Sequence, residues 1–418
     1  MKPKKNKRRK KLKSKPGKKK NPSRVLNEAL TLYKSGKLKL ALGKCQSVLA
    51  DHPRHSDAFN LAGIIHMDLG QTEQSVKFMR SVVEILPDSS KAHFNLGTAL
   101  TANGELTGAI ASQRRALELK PDYADALFNL GNAYRQTGES KSAILSYRSA
   151  LDLAPDYPGA ATNLASSLLH LGRPLDALAA CNEALRHYPG DRDAYAFKAI
   201  AATEAGDPGM AASILSMDRL IRTKEFDAAD GFQDMAEFNK ALAAHVLSHP
   251  TLTREPHNVA TRNGQQTENL ALEPKGPIKQ LEQMIIAAYD EYRSFLSKES
   301  GHSYIRQIPD LGKIDIWGTV LDSMGHQAAH MHRNAWISGV YYVQLPDTMH
   351  GANESRSGWI EFGRPPDEFP CAVEHEVRNF EPREGRMFMF PSFEYHRTIP
   401  FQSSEQRISI AFDLLARY

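Results

Sequence analysis

The chain has 418 residues, 41% of them hydrophobic and 24% charged, an ordinary soluble composition with room for two or three domains. No apolar run approaches the roughly 20 residues needed to span a bilayer, so no membrane-spanning helix is expected. The net charge of +5 hides an asymmetry: residues 1–20 hold 13 Lys/Arg and no acid, while the other 40 bases face 48 acids. Three widely separated cysteines, Cys45, Cys181 and Cys371, offer neither a disulfide framework nor metal-ligand spacing, and they predict a reducing, cytoplasmic setting. No apolar stretch follows the N-terminal charges, which predicts no secretory leader.

Residues 1–23, MKPKKNKRRKKLKSKPGKKKNPS, cannot bury a core and repel themselves, so a disordered basic tail is expected. Such a run binds polyanions, nucleic acid or the ribosome, through counterion release. A plain solubilising role explains it equally well.

From residue 24 to about 218 the sequence repeats. Glycines fall at Gly36, Gly70, Gly104, Gly138, Gly172 and Gly206, and prolines at Pro53, Pro87, Pro121, Pro155 and Pro189, both in steps of 34. A small residue keeps the same phase: Ala41, Ser75, Ala109, Ala143, Ala177 and Ala211. Each unit reads as two helices. The glycine ends the first, the small residue lets the second approach closely, and the proline stops the second. The pattern resembles the tetratricopeptide family, with six helix pairs over 24–218. That resemblance implies an all-α solenoid whose concave face holds a protein or peptide. Asn95, Asn129, Arg135 and Asn163 are the candidate groove residues, although helix-to-helix hydrogen bonding explains the asparagines as well. His93, His170 and His187 are isolated and read as structural.

Beyond about 218 the rhythm stops, and residues 219–418 form the second domain. The stretch Ala260–Leu270 reads as a loop by composition. A helix is expected from Pro277 to about Ser297, with apolar residues at 3.6-residue spacing. From Tyr304 the texture turns to β, with strands expected near 313–321, 336–345, 358–362, 372–379, 386–390, 395–400 and 406–414. That many short strands predicts a sandwich or jelly roll with its β core over about 304–418. Trp317, Trp336 and Trp359 read as core or pocket walls, and Phe388, Phe390 and Phe412 as the inner face of the sheet.

His330 and His332, two apart ahead of a β-rich run, point to one face of an extended strand and can occupy neighbouring sites on one metal ion. His396 is the best third ligand. Arg407 follows eleven residues later. These pieces, His330-Met331-His332, Ser338 to Val343, Phe390-Pro391-Ser392, His396 and Arg407-Ile408-Ser409, occur in an order similar to that of the iron(II)- and 2-oxoglutarate-dependent oxygenases, and residues 261–267 add to the likeness. The resemblance spans about 230–415. It implies a double-stranded β-helix with flanking helices, iron(II) held by His330, His332 and His396, and 2-oxoglutarate bound by Arg407, Ser409 and Tyr342 or Tyr341. No catalytic residue is expected beyond these metal and co-substrate ligands. The guanidinium fork suits the far carboxylate.

Most of that superfamily carries a carboxylate where this chain has His332. Three outcomes are open: three histidines bind the ion; Asp322, Glu361 or a water completes the site; or iron binds weakly. His326 is a spare ligand candidate. The leading expectation is a multidomain α + β protein that hydroxylates a protein or peptide presented by the repeats. The alternatives are a non-catalytic scaffold with a degenerate metal site, and a cupin-like metalloprotein suggested by Gly385 to His396.

Overall fold

Each 34-residue period folds as a pair of helices. The computed structural model describes residues 21–417 apart from 257–258, 273, 299–300 and 350–354, with the side chain of Gln307 also outside the described set. Residues 1–20 of the expected basic tail therefore lie outside the described residues, while Asn21 caps the first helix by accepting from the Ser23 N–H at 3.0 Å. The chain divides into two compact units between Glu139 and Ser140.

The first unit holds α1 (Pro22–Lys34), α2 (Leu38–Asp51), α3 (Ser56–Asp68), α4 (Thr72–Ile85), α5 (Ser90–Ala102), α6 (Leu106–Leu119) and α7 (Ala124–Gln136). Gly36, Gly70, Gly104 and Gly138 adopt φ between +71° and +79°, the left-handed conformation that ends a helix. At the first of these, Gly36 N–H bonds the Tyr33 carbonyl and Lys37 N–H the Leu32 carbonyl, both at 2.9 Å, which satisfies carbonyls the helix end leaves open. Ala41, Ser75 and Ala109 are fully buried, as close helix approach requires.

The second unit begins with α8 (Ser140–Leu153), α9 (Ala160–His170), α10 (Pro174–His187), α11 (Arg192–Glu204) and α12 (Pro208–Leu215), and it keeps the repeat pattern to residue 215. It continues through α13 (Met217–Leu220), β1 (Arg222–Glu225), α14 (Met235–Leu247), β2 (Thr253–Arg254), β3 (Thr261–Gln266), α15 (Ile278–Leu296), β4 (Leu311–Gln327), β5 (Ile337–Gln344), β6 (Ile360–Phe362), β7 (Arg378–Phe380), β8 (Arg386–Pro391), β9 (His396–Thr398) and β10 (Arg407–Ala416). Seven strands form an antiparallel sheet in the order β1-β8-β5-β10-β4-β3-β2, and a smaller sheet runs β7-β6-β9. Their facing side chains form one apolar core, with Leu321, Val340, Tyr342, Phe388 and Phe390 from the large sheet meeting Ile360 and Phe362 from the small one. No helix among the described residues is long and apolar enough to cross a membrane.

Three expectations change. Residues 261–266, read as loop, are strand β3, which pairs with β4 through Thr261–Gln327 and Gln266–Thr319 around an irregularity at Arg262/Gly264. Ladder bonds belong to the backbone, and near a sheet edge Arg, Asn and Gln side chains can stay solvated, so composition hides the strand. The strand expected at 372–379 narrows to 378–380, because the Ala372 and Val373 N–H groups bond the Glu204 carboxylate instead of a neighbouring strand. Phe412 does not share the inner face with Phe388 and Phe390. It lies on the opposite side of β10 from Arg407 and Ala411 and crosses beneath Gly339.

A Cβ on Gly339 would stand 2.2 Å from Phe412 Cζ and 2.4 Å from the Phe388 carbonyl oxygen. The second obstacle is backbone and cannot swing aside. Gly339→Ala is therefore expected to destabilise the second unit by about 1–3 kcal/mol or more, read by chemical denaturation.

Candidate metal centre

His330 sits on the segment after β4, and His396 opens β9. They exchange both backbone hydrogen bonds, His330 N–H to His396 O at 3.0 Å and the reverse at 2.9 Å. An antiparallel pair of this kind sets its side chains side by side on one face, and the ring centroids are 4.3 Å apart. His332, two residues on, returns to that face. Its N–H bonds the Ser392 carbonyl at 3.0 Å, and its ring lies 5.1 Å from each of the other two.

The outward nitrogens fix the inward ones. Nδ1 of His330 meets the Ala328 carbonyl at 2.8 Å, Nδ1 of His396 the Glu394 carbonyl at 3.0 Å, and Nδ1 of His332 an Asp413 carboxylate oxygen at 2.6 Å. Those oxygens only accept, so each Nδ1 carries a proton, and Nε2 is the nitrogen each ring has left for a metal. One ring nitrogen from each histidine lies within 4.8 Å of the others. Burial, reinforced by His332, pushes His330 down to about 3, and burial together with His330 and His332 holds His396 well below the usual imidazole range. Neutral rings at neutral pH are what ligation needs. Three imidazole nitrogens gathered within 4.8 Å of one another suit a divalent transition ion.

Strand β10 organises the rest. Arg407, Ser409, Ala411 and Asp413 alternate along one face. Arg407 is 1% exposed. Its Nη1 donates to Ser409 Oγ at 3.3 Å and its guanidinium carbon lies 4.9 Å from the Tyr342 ring centroid. Nε has no partner, and among the described residues no carboxylate pairs with this cation. Burial pushes the guanidinium down, opposed by Tyr342, and lifts the Tyr342 phenol, opposed by Arg407. The three histidines, Tyr342 and Arg407 line one cleft of about 370 Å³ counting its open mouth. Tyr341 faces the other way and donates to Asn239 Oδ1 on α14 at 2.7 Å.

The other proposed ligands are engaged elsewhere. Asp322 accepts from Arg254 and from Gln406 at 2.9 Å, and Glu361 pairs with Arg364 at 2.5 Å and Arg397 at 2.6 Å. His326 Nδ1 meets the Met324 carbonyl at 3.2 Å and lies outside the three-histidine group. In the first unit, Asn95 donates to Asn60 at 2.6 Å and Asn129 to Thr98 at 3.0 Å, ties between first helices of successive repeats. Arg135 is half-buried with an unpartnered Nε. Asn163, in the second unit, accepts a Ser167 hydroxyl at its carbonyl.

Asp413 is the residue that sequence reasoning missed. Besides His332 it accepts the Ser338 hydroxyl at 2.6 Å. It lies six residues after Arg407 in a strand of period two, so alternation alone places it on the face of Arg407 and Ser409.

Within the second unit, α11 touches the loops that carry the histidines. Arg192 Nε donates to the Arg333 carbonyl at 2.8 Å, Arg333 pairs with Asp193 at 2.9 Å, and the Tyr195 ring stacks 5.3 Å from Phe393.

Residues 315–413 match the family described as "Putative 2OG-Fe(II) oxygenase". Tetratricopeptide repeat models match residues 26–90, 97–138, 124–157 and 162–218. No curated protein matches the chain. Solved structures that resemble it include MamA, at 24% identity over 38% of this chain and 94% of that one with a TM-score of 0.37. Another is YrrB, described as a TPR protein with an unusual peptide-binding site, at 19% identity over 42% and 91% with a TM-score of 0.38. A third is PilF of Pseudomonas aeruginosa, at 17% identity over 47% and 90% with a TM-score of 0.43. The chain thus joins tetratricopeptide repeats to a C-terminal stretch, residues 315–413, that matches the model of the family described as "Putative 2OG-Fe(II) oxygenase".

Proposed function

We propose that the C-terminal domain is an iron(II)- and 2-oxoglutarate-dependent oxygenase that hydroxylates a protein or peptide, with His330, His332 and His396 as the metal ligands. The observation that carries this reading is the pairing of three inward-facing imidazole nitrogens with a buried, carboxylate-free Arg407 in one cleft. When bound, iron(II) would supply oxygen activation: one oxygen atom of O₂ enters the substrate C–H bond, the other enters succinate, and carbon dioxide leaves.

The chain's own residues do the positioning. Arg407, with Ser409 and the Tyr342 hydroxyl, takes the far carboxylate of the keto acid and sets its length toward the histidines. Asp413 holds the His332 ring and places beside the ion the negative charge that a ligand carboxylate would otherwise provide. Phe390, Ile360 and Val340 wall the cleft and keep water away. A degenerate scaffold has no use for a buried cation without an anion. The repeats favour a polypeptide substrate, since the α11 contacts to Arg333 and Phe393 bring the last repeat next to the histidine-bearing loops. The basic tail would add a polyanion contact, and the cytoplasm is the compartment that the free cysteines favour.

The test is succinate formation from 2-oxoglutarate under air with iron(II) and a reductant, alongside mass spectrometry of a peptide library for the gain of one oxygen atom. The reading predicts succinate above an iron-only control, rising with an accepted peptide. Succinate no higher than that control, with or without peptides, would defeat it.

A further inference from the structure

A second cluster of donors lies apart from the three histidines. Glu204 ends α11, and Cys371 and His375 stand four apart on the chain between β6 and β7. One ligand atom from each lies within 4.8 Å of the others. The sequence alone gave no metal spacing for Cys371, because the third donor is 167 positions away.

Glu204 and His375 side chains are only 10% and 9% exposed. A carboxylate so covered calls for a cation, yet among the described residues Glu204 has no Lys or Arg partner. It accepts from His375 Nε2 at 2.9 Å, from the Ala372 N–H at 2.8 Å and from the Val373 N–H at 3.5 Å, and the Cys371 sulfur lies within 4.8 Å of it. Two of these neighbours, His375 and Cys371, are metal-ligand types gathered at one anion.

The segment 363–377 has no regular structure and includes Pro365, Pro366 and Pro370, which lack a donor. Its internal backbone bonds are few, among them Phe369 to Pro366 and Cys371 to Phe369. Phe369, packed on His170 and Phe197, ties down its middle, and the Glu204 contacts hold the stretch that follows. Sulfur, imidazole and carboxylate together are the donor set of a borderline-soft dication, and Cys371, exposed, leaves a fourth position open to water.

We propose that Glu204, Cys371 and His375 form a second metal site, selective for a zinc-like dication, that staples this segment to the end of α11. The cation replaces the thiol proton, which is released to solvent, and the thiolate and carboxylate charges balance the ion. His375 moves its ring proton to Nδ1 and ligates through Nε2. The site is independent of the proposed iron centre.

Cobalt(II) titration of the metal-free full chain tests it, because only a cysteine ligand gives a thiolate-to-cobalt charge-transfer band and the three-histidine cluster contains no sulfur. Cys45 and Cys181 are buried in the repeats. The expected result is that band at an intensity of one sulfur-bound cobalt per chain, both in the wild type, where the histidine site takes a second equivalent without it, and in a variant carrying His330→Ala, His332→Ala and His396→Ala. The band should vanish in Cys371→Ser, and affinity should fall at least about tenfold in His375→Ala. No band in the wild type, or a band unchanged in Cys371→Ser, overturns the proposal. If the triple variant fails to fold, wild type against Cys371→Ser decides alone, since Cys371 is exposed and its replacement leaves the fold intact.

Discussion

Replacing Arg407 by methionine is expected to stabilise the ligand-free protein while removing its affinity for 2-oxoglutarate. The two effects have opposite signs because the guanidinium is buried without a carboxylate. A lone buried charge is a standing cost, and apolar replacement of buried ionic groups is often neutral or stabilising by about 1–4 kcal/mol. The thermal midpoint should rise by several degrees. Binding should go the other way. Removing one partner of a desolvated charge pair costs about 2–5 kcal/mol, roughly 30-fold to several thousand-fold in Kd. Arg407→Lys keeps the charge but loses the planar fork and should fall between. Calorimetry and a melting curve on the same three proteins read both quantities. If Arg407→Met is less stable than wild type and binds the keto acid equally well, the arginine is structural.

The second large effect concerns charge beside the histidines. Asp413→Asn keeps shape and an acceptor for the His332 Nδ1 proton, yet removes the negative charge, and metal affinity should drop about 10- to 100-fold. Ser338→Ala, which removes the other donor to that carboxylate, should cost far less. His332→Asp moves a carboxylate inward but sets it against Asp413, so alone it should also bind poorly. Combined with Asp413→Asn, it restores a single negative charge and should bind metal more tightly than Asp413→Asn alone. A double-mutant cycle on iron(II) affinity reads the coupling. If Asp413 only props the ring, Asp413→Asn changes nothing once His332→Asp has removed that ring, so a double variant that binds no more tightly than His332→Asp alone would overturn the charge role.

Both predictions rest on features that differ in how openly the chain displays them. The repeats are plain because every period needs a left-handed glycine, a small residue and a proline at the same places, and one 34-residue step exposes all three. The second-domain strands from 311 to 416 and the helix 278–296 are marked by apolar alternation and helical spacing. Strand β3 is hidden because its ladder uses backbone groups that every residue type has. His330, His332, His396 and Arg407 are legible as a set, since alternation and chain order bring them toward one face. What could not be read was the hydrogen-bond partner of each Nδ1. Asp413 looks like any acid in a β run until register sets it opposite Ser338 and beside His332. Glu204, Cys371 and His375 meet only because, within the second unit, the end of α11 packs on the segment before β7, a contact that no local pattern encodes.

The most direct measurement is an anaerobic titration of the metal-free protein with iron(II), followed by 2-oxoglutarate, watched by calorimetry and by visible absorption. The account predicts that the visible charge-transfer band of a chelated keto acid develops with one equivalent of iron and is lost in His330→Ala and in His396→Ala. Full binding and an unchanged band in those two variants would contradict it.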